Sequence, residues 1–410
     1  MWLFYLFAGL LVLQGIVSLR GGVRWLAYVR RELARPLPTY APYASVVVPC
    51  RGLDQGLAEN LRAVCRQDYP RYEVIFVTDA ADDPALAVVE SVRAECATDD
   101  NPTTRVVVAG RATDRGQKVY NLLAGLAACA AGVEVFVFVD TDARPQSGWL
   151  RALVAPLADA GLGATTGYRW FVPVRGGLAS HLRAVWNASI ASALGADAAR
   201  NFCWGGATAL RRATFHAADV PAYWRGALSD DFALTRALKA AGRAIRFVPQ
   251  CLTAAHEDCT LTELCEFTTR QMKITRVYAP HLWRIVLGSN LLFVLVFFGG
   301  VLLALARLTT GASFWPPLVL VGVIYLLGAA KAALRLRAVA LALAPAGVRF
   351  GGRTHAAHPT LWPLTAALYA GNALAAALSR RLDWRGIAYE LKSPNETIVQ
   401  GERRRAKGES

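Results

Sequence analysis

Val135-Phe136-Val137-Phe138-Val139-Asp140-Thr141-Asp142 decides the fold. Five β-branched and aromatic residues in a row read as a fully buried strand, and two carboxylates at i and i+2 stand where that strand must end. Side chains two apart in an extended segment share a face, so both carboxylates can converge on one hard cation. A cation at that place is useful mainly for holding phosphates.

Upstream of this stretch, strands predicted at 45–48, 73–77 and 104–109 alternate with helices at 57–67, 84–95 and 118–130. Alternation of this kind means βαβ units and a mainly parallel sheet, in which ligands bind at the carboxyl ends of the strands. Three strand ends are polar: Cys50-Arg51 after Pro49, Thr78-Asp79, and Asp140-Thr141-Asp142. Together they outline one nucleotide-sized site. Neither GxGxxG nor GxxxxGK[ST] occurs, so a dinucleotide fold and a P-loop are both unsupported. Gly116-Gln117-Lys118 opens a helix instead, and Lys118 reads equally as a phosphate ligand and as a solvated helix-start lysine.

Downstream the pattern is less regular: a helix over 148–160, a strand over 164–171 and a helix over 177–194. Asn201-Phe202-Cys203-Trp204-Gly205-Gly206 is a turn that either lets backbone approach a ligand or simply packs its tryptophan. Ser229-Asp230-Asp231 caps a helix running to 241. Capping needs one such residue, which leaves the second carboxylate without a structural reason. A strand over 245–248 follows, then an amphipathic helix at 261–278 with Arg270, Lys273 and Arg276 at i+3 steps. That helix suits lipid phosphates at a membrane surface and a substrate diphosphate equally.

The 410 residues are 54% hydrophobic, which with a mean hydropathy of +0.31 points to a membrane protein with one large soluble domain. The net charge of +15 lies beside apolar segments and not in one long tract, which fits topology and anionic lipid and excludes a nucleic-acid groove. Eight cysteines without a CxxC pair predict reduced thiols in a cytoplasmic compartment. The uncharged start, followed by five arginines between 20 and 35, predicts a signal-anchor over 1–20 with its C-terminal side in the cytoplasm. Uncharged stretches at 285–306, 308–330 and 354–379 are each long enough to cross a core of about 30 Å. The apolar run at 338–348 is too short and reads as interfacial or re-entrant. The expected division is therefore an anchor at 1–20, a cytoplasmic domain at 36–284 that includes helix 261–280, a membrane region at 285–379 and a basic tail at 380–410. Three crossings after the domain would leave Arg380, Arg381, Arg385 and Arg403 to Arg405 outside, against the positive-inside tendency, so one segment need not span.

In chain order Pro49, Asp79, Asp140-Thr141-Asp142, Asp231, 270–274 and Asp383-Trp384-Arg385-Gly386 form a set that resembles the membrane enzymes of glycosyltransferase family 2, most closely the ceramide glucosyltransferase-like branch. The resemblance runs from the anchor through Tyr389 and implies a GT-A fold, a Rossmann-like α/β domain, carried on transmembrane helices. It implies that Val48-Pro49-Cys50-Arg51 and Asp79 contact a nucleotide, and that Gly116-Gln117-Lys118 leads to the donor sugar site. Asp140 and Asp142 would hold a divalent ion, Mn2+ or Mg2+, on the donor's diphosphate, and Asp231, beside Asp230, would be the general base. Arg270-Gln271-Met272-Lys273-Ile274 stands at the family's (Q/R)xxRW motif, with lysine for arginine and isoleucine for tryptophan. Lysine keeps the charge and loses the bidentate fork. Loss of the tryptophan weakens a processive polysaccharide-synthase reading.

The resemblance thus implies inverting transfer of a sugar, such as the hexose of a UDP-hexose, to the hydroxyl of a membrane lipid. Trp204, Gly205 and Gly206 would shape the sugar pocket. Ceramide, a hopanoid, a diacylglycerol and a polyprenyl phosphate are all candidate acceptors. A polysaccharide synthase is the enzymatic rival, and a non-catalytic membrane scaffold or transporter with a degenerate transferase domain is the rival from another class.

Overall fold

The computed structural model describes residues 2–97 and 102–402. The chain runs through α1 (Trp2–Leu33), β1 (Ala44–Pro49), α2 (Leu57–Cys65), β2 (Tyr72–Thr78), α3 (Ala85–Glu95), β3 (Thr103–Val108), α4 (Gln117–Ala127) and β4 (Val135–Val139). It continues through α5 (Trp149–Val154), β5 (Leu162–Val172), α6 (Leu178–Ala191), β6 (Ala207–Arg211), α7 (Arg212–Ala217), α8 (Val220–Trp224), α9 (Asp230–Ala240) and β7 (Ala244–His256). Helices α10 (Leu261–Tyr278), α11 (Pro280–Thr309), α12 (Trp315–Leu343) and α13 (Gly352–Leu378) precede a last group of strands, β8 (Arg381–Trp384), β9 (Ile387–Ser393) and β10 (Glu396–Glu402).

Seven strands form one sheet in the order β3-β2-β1-β4-β6-β5-β7. The pairs β1–β2, β2–β3, β1–β4 and β5–β7 are parallel, whereas β6 runs antiparallel to both neighbours. Strand order reverses between β1 and β4, which places the crevice of an open α/β sheet beside Pro49 and Asp140. All five residues of β4 are buried, as expected for a central strand covered on both faces. Alternation sorts the side chains: Val46 and Val48 join a core with Phe76, Trp149 and Trp170, while Val47 and Val77 face α4 and α9.

Several expectations are corrected. Strand β6 escaped the sequence reading because Ala207-Thr208-Ala209-Leu210-Arg211 carries little β-branched character. Strand β7 extends to His256, since it pairs with β5 along nearly its whole length. Residues 381–402 are no loose tail. They form an antiparallel sheet whose Leu382, Ile387, Tyr389 and Leu391 complete the core beneath α9 and α10. Arg403 to Arg405 lie outside the described residues.

Four helices, α1, α11, α12 with its short 3-10 extension to Ala346, and α13, are long and apolar enough to cross a membrane. The inner half of α1 belongs to the domain: Trp25 Nε1 donates to the Leu194 carbonyl at 2.7 Å, Tyr28 Oη to the Phe247 carbonyl at 2.6 Å, and Arg246 pairs with Glu32 at 2.6 Å. The run at 338–348 begins as the end of α12, where Ala338, Val339, Ala342 and Leu343 are buried in the core of the domain. Each of the larger two contributes about 1.5–3 kcal/mol by that burial. Helix α13 packs on the domain and also, through Trp362, on Phe293 and Phe297 of α11 and Tyr325 of α12. His358 stacks on Trp170 near the start of α13, Tyr369 on Trp186 at 4.6 Å, and Thr269 donates to Asn372 near its end.

Candidate active site

Each element that ends at the crevice delivers polar groups into one cluster. At the end of β1, Cys50 N donates to the Val77 carbonyl at 2.7 Å, which turns Arg51 toward β2. There Arg51 forms an ion pair with Asp79, a residue 3% exposed whose Oδ1 has no hydrogen-bond partner. At the start of α4 the Lys118 ammonium lies 2.7 Å from Asp140 and 3.2 Å from Asp230. Burial alone would push that ammonium down, but Asp140, Asp230 and Asp231 hold it above the ordinary lysine range. Burial likewise works against ionisation of Asp140, yet Lys118 keeps the carboxyl below its usual range.

Asp230 and Asp231 are neighbours with different surroundings. Asp230 is buried against Lys118, and desolvation, opposed by Lys118 and reinforced by Asp231 and Asp140, pushes its carboxyl up to about 7. Asp231 accepts from Phe232 N at 2.7 Å and from the Ser229 hydroxyl, as a cap of α9 would, and it lines a separate cavity. Gly205 and Gly206 are required by this packing: a Cβ at Gly205 would come within 2.2 Å of Asp230 Oδ2, and one at Gly206 within 2.3 Å of the Trp204 ring and 2.8 Å of Asp140 Oδ2. The glycine turn thus makes room for carboxylates. Trp204 packs on Tyr168 at 5.3 Å beside it.

Asp142 is held by a residue absent from the sequence reading. Arg169, on β5, forms an ion pair with Asp142 Oδ2 and lies 5.8 Å over the Trp204 ring. Burial pushes the Asp142 carboxyl up in spite of Arg169. Its Oδ1 is enclosed without a hydrogen-bond partner. A lone arginine inside the apolar strand Leu162–Val172 was the available signal, because a charge in such a run rarely lacks a reason.

A second cation, quoted in the sequence motif without a role, arrives from the far end of the chain. The turn between β8 and β9 places Arg385 Nη2 2.9 Å from Asp54, while Arg51 and Arg385 exchange hydrogen bonds to each other's carbonyl at 2.9 and 2.7 Å. Asp54 also accepts from Thr141 Oγ1 at 2.5 Å. Arg385 has φ 49 and Gly386 φ 78, the left-handed pair of a tight hairpin, so a non-glycine residue is held there at a cost of about 1–3 kcal/mol. Tyr389 Oη accepts from Gln117 N at 3.2 Å and fixes the same hairpin over α4.

Arg270 joins Arg169 and Arg385 on this side. Its guanidinium stacks over Phe267 and Trp384, and burial together with the two neighbouring arginines lowers it to about 10. Its Nε has no partner. Three guanidinium groups thus gather around Asp54 and Asp142, two of them paired with those carboxylates. Lys273 lies apart, since its ammonium donates to the Arg381 carbonyl at 2.5 Å. The site thus gathers Arg51, Asp79, Lys118, Asp140, Asp142, Asp230 and Arg270, adds Arg169 and Arg385, and leaves Lys273 outside. Among the described residues no three His, Cys, Asp or Glu side chains are grouped closely enough to cage a metal alone.

On the other side of Asp231 lies a cavity of about 920 Å³. It is walled by α1, α6, α9, α10, α11, α12 and α13, and its lining passes from Asp231 through Tyr278 and Met272 to Phe293 and Leu327 among the apolar helices.

Among solved structures, a mannosyltransferase of Pyrobaculum calidifontis, in complex with GDP-Man and Mn2+, is 19% identical with a TM-score of 0.46, covering 92% of this chain and 98% of its own. A glucosyl-3-phosphoglycerate synthase of Mycobacterium tuberculosis, in complex with Mn2+, UDP and glucosyl-3-phosphoglycerate, is 18% identical with a TM-score of 0.37, covering 61% of this chain and 82% of its own. The glycosyltransferase resemblance and its ceramide glucosyltransferase-like branch agree with a family match over nearly the whole chain, under family number 21 in place of 2. The profile of glycosyl transferase family 21 fits residues 10–397, so the chain belongs to glycosyl transferase family 21 and is a glycosyltransferase.

Proposed function

We propose that the protein transfers a sugar, with inversion, from a nucleotide diphosphate sugar such as a UDP-hexose to the hydroxyl of a membrane lipid. The observation that carries this reading is the separation of Asp230 from Asp231. The first belongs to the buried Lys118–Asp140 cluster, whereas the second lines the cavity that extends between the apolar helices. Donor and acceptor thereby approach from opposite sides of α9.

Arg51, Lys118, Arg169, Arg270 and Arg385 supply positive charge around the donor's diphosphate, with hydrogen bonds that strengthen as charge builds on the leaving group. Asp140 and Asp142 suit a divalent ion, Mn2+ or Mg2+: hard cations use one or two carboxylates together with substrate phosphates, and the enclosed Asp142 Oδ1 is an acceptor with no other partner. Such an ion supplies neutralisation of the leaving diphosphate, typically about several kcal/mol. Asp231 accepts the proton of the lipid hydroxyl as its oxygen bonds to the anomeric carbon. The bond from that carbon to the phosphate oxygen breaks, and its electron pair leaves with the nucleotide diphosphate. One base facing the acceptor, without a paired nucleophile, suits a single displacement and hence inversion.

The lipid reading also sets a topology. The strands after α13 pack on the catalytic domain, so the chain crosses an even number of times between α10 and β8. We assign the crossings to α11 and α12, with α1 as the third span and α13 lying along the domain at the interface, all with the catalytic domain in the cytoplasm.

The test is transfer itself. Purified protein in lipid bilayers, given labelled UDP-hexoses and Mn2+, is expected to place label in the lipid phase as a single-sugar product whose anomeric configuration is opposite to the donor's. A water-soluble product that lengthens with donor supply would instead establish a polysaccharide synthase.

A further inference from the structure

Five Lys and Arg side chains line the cavity: Arg200, Arg236 and Lys239 belong to the domain, and Lys331 and Arg335 to α12. Lys331 and Arg335 stand four residues apart on α12, hence on one face of the helix, and both line the cavity that Asp231 also lines. Arg335 is 9% exposed, and its Nε has no hydrogen-bond partner. The Lys331 ammonium donates to Ser18 Oγ of α1 at 2.6 Å, a neutral partner. Among the described residues neither forms an ion pair, and Asp231 is the sole carboxylate on the cavity wall. Like charges at i and i+4 repel, and a buried cation without a counter-charge costs several kcal/mol. Both stand just past the uncharged stretch 308–330 and just before the part of α12 that packs in the core of the domain, where the helix passes from apolar surroundings to the domain.

The surroundings fix how large a ligand this pair can take. Toward the domain the cavity leads to Asp231, and in the other direction to Leu327, Phe293 and Trp362. Helices α1 and α12 approach closely enough that a Cβ at Gly22 would lie 3.3 Å from the Lys331 side chain, so the ammonium is confined between them. A molecule that fills this space has an apolar tail, a hydroxyl at the domain end, and between them a group that meets two positive charges.

We propose that Lys331 and Arg335 form a binding site for the anionic group, phosphate or carboxylate, of a membrane lipid whose chains occupy the cavity. The site rests on the reading that the cavity takes a lipid, and it narrows the acceptor class toward acidic lipids. The anion belongs either to the acceptor or to a bilayer lipid seated beside it.

The experiment uses the full chain in nanodiscs of phosphatidylcholine, with phosphatidylglycerol and diacylglycerol of identical photoreactive chains as probes. Phosphatidylglycerol is expected to label the helices around the cavity at a mole fraction at least about tenfold lower than diacylglycerol, the ratio that charge-assisted hydrogen bonds provide. Lys331→Gln with Arg335→Gln is expected to abolish that preference. Lys331→Glu, which puts a carboxylate one turn before Arg335 and pairs it internally, keeps the fold and abolishes the preference as well. Equal labelling by the two lipids in the natural protein, or a preference that survives in both variants, overturns the site. If donor sugar reaches phosphatidylglycerol, the anion is the acceptor's own. If bound phosphatidylglycerol instead speeds transfer to an uncharged lipid and is not consumed, the anion belongs to a bilayer lipid, and the site stands in either case. Charge-dependent labelling without sugar transfer to any lipid sinks the lipid-acceptor reading and leaves the anion site. Transfer without charge-dependent labelling does the reverse.

Discussion

Asp230 and Asp231 differ in surroundings because an α-helix turns about 100° per residue, which aims one carboxylate at Lys118 and the other at the cavity. Asp231→Asn is expected to bind donor normally and to lose about 10²–10⁴-fold in transfer rate, measured by donor titration beside single-turnover transfer. Asp142→Ala should remove the Mn2+-dependent part of donor binding, and donor binding that Mn2+ still strengthens in that variant would refute its role. Asp230 gives a pH signature. Its folded carboxyl is pushed up to about 7 from the usual 3.8, so between those values the native state holds a proton that the unfolded chain has released. Stability from this group therefore falls as pH rises from about 4 to about 7. Asp230→Asn is expected to flatten that part of the pH dependence of the unfolding midpoint, and parallel curves for the two proteins would refute it.

Among the elements, the hairpin of β8 and β9 changes the account most. Its Trp384-Arg385-Gly386 sequence was legible as a motif, but its place was not. No local pattern says that strands beyond a long apolar helix return to the first strand of the domain. Arg385→Gln keeps the turn and removes the cation, and donor affinity is expected to fall about 10–100-fold while the unfolding midpoint stays close to that of the natural protein. An unchanged donor affinity would make the hairpin purely structural. The strands β1, β2 and β4 and the carboxylates Asp140 and Asp142 were readable because continuous β-branched runs end in polar residues. Strand β6 and Arg169 were not, since β6 has weak β character and the role of Arg169 depends on the pairing of β5 with β7. The length of α12 was misjudged for a related reason. Ala338 to Leu343 is apolar because it packs on a domain, and hydropathy alone does not distinguish protein from lipid as the solvent of a helix.

At the scale of the whole molecule, long apolar helices and the domain share one core. Trp25 and Val29 of α1 and Val339 and Leu343 of α12 share a core with β1 and β2, so the catalytic unit does not end at residue 284. The proposed three crossings are tested by epitopes inserted at 311–313 and at 394–395. In sealed vesicles of one orientation an antibody is expected to reach only one of the two. Access to both from the same side would require α13 to span after all. The position of Arg385 also has a meaning for biosynthesis. The ribosome makes the carboxylates of β4 and α9 early and the hairpin that closes over them last, after α11, α12 and α13. A nascent chain therefore lacks the cation that pairs with Asp54 until α11, α12 and α13 have all been made.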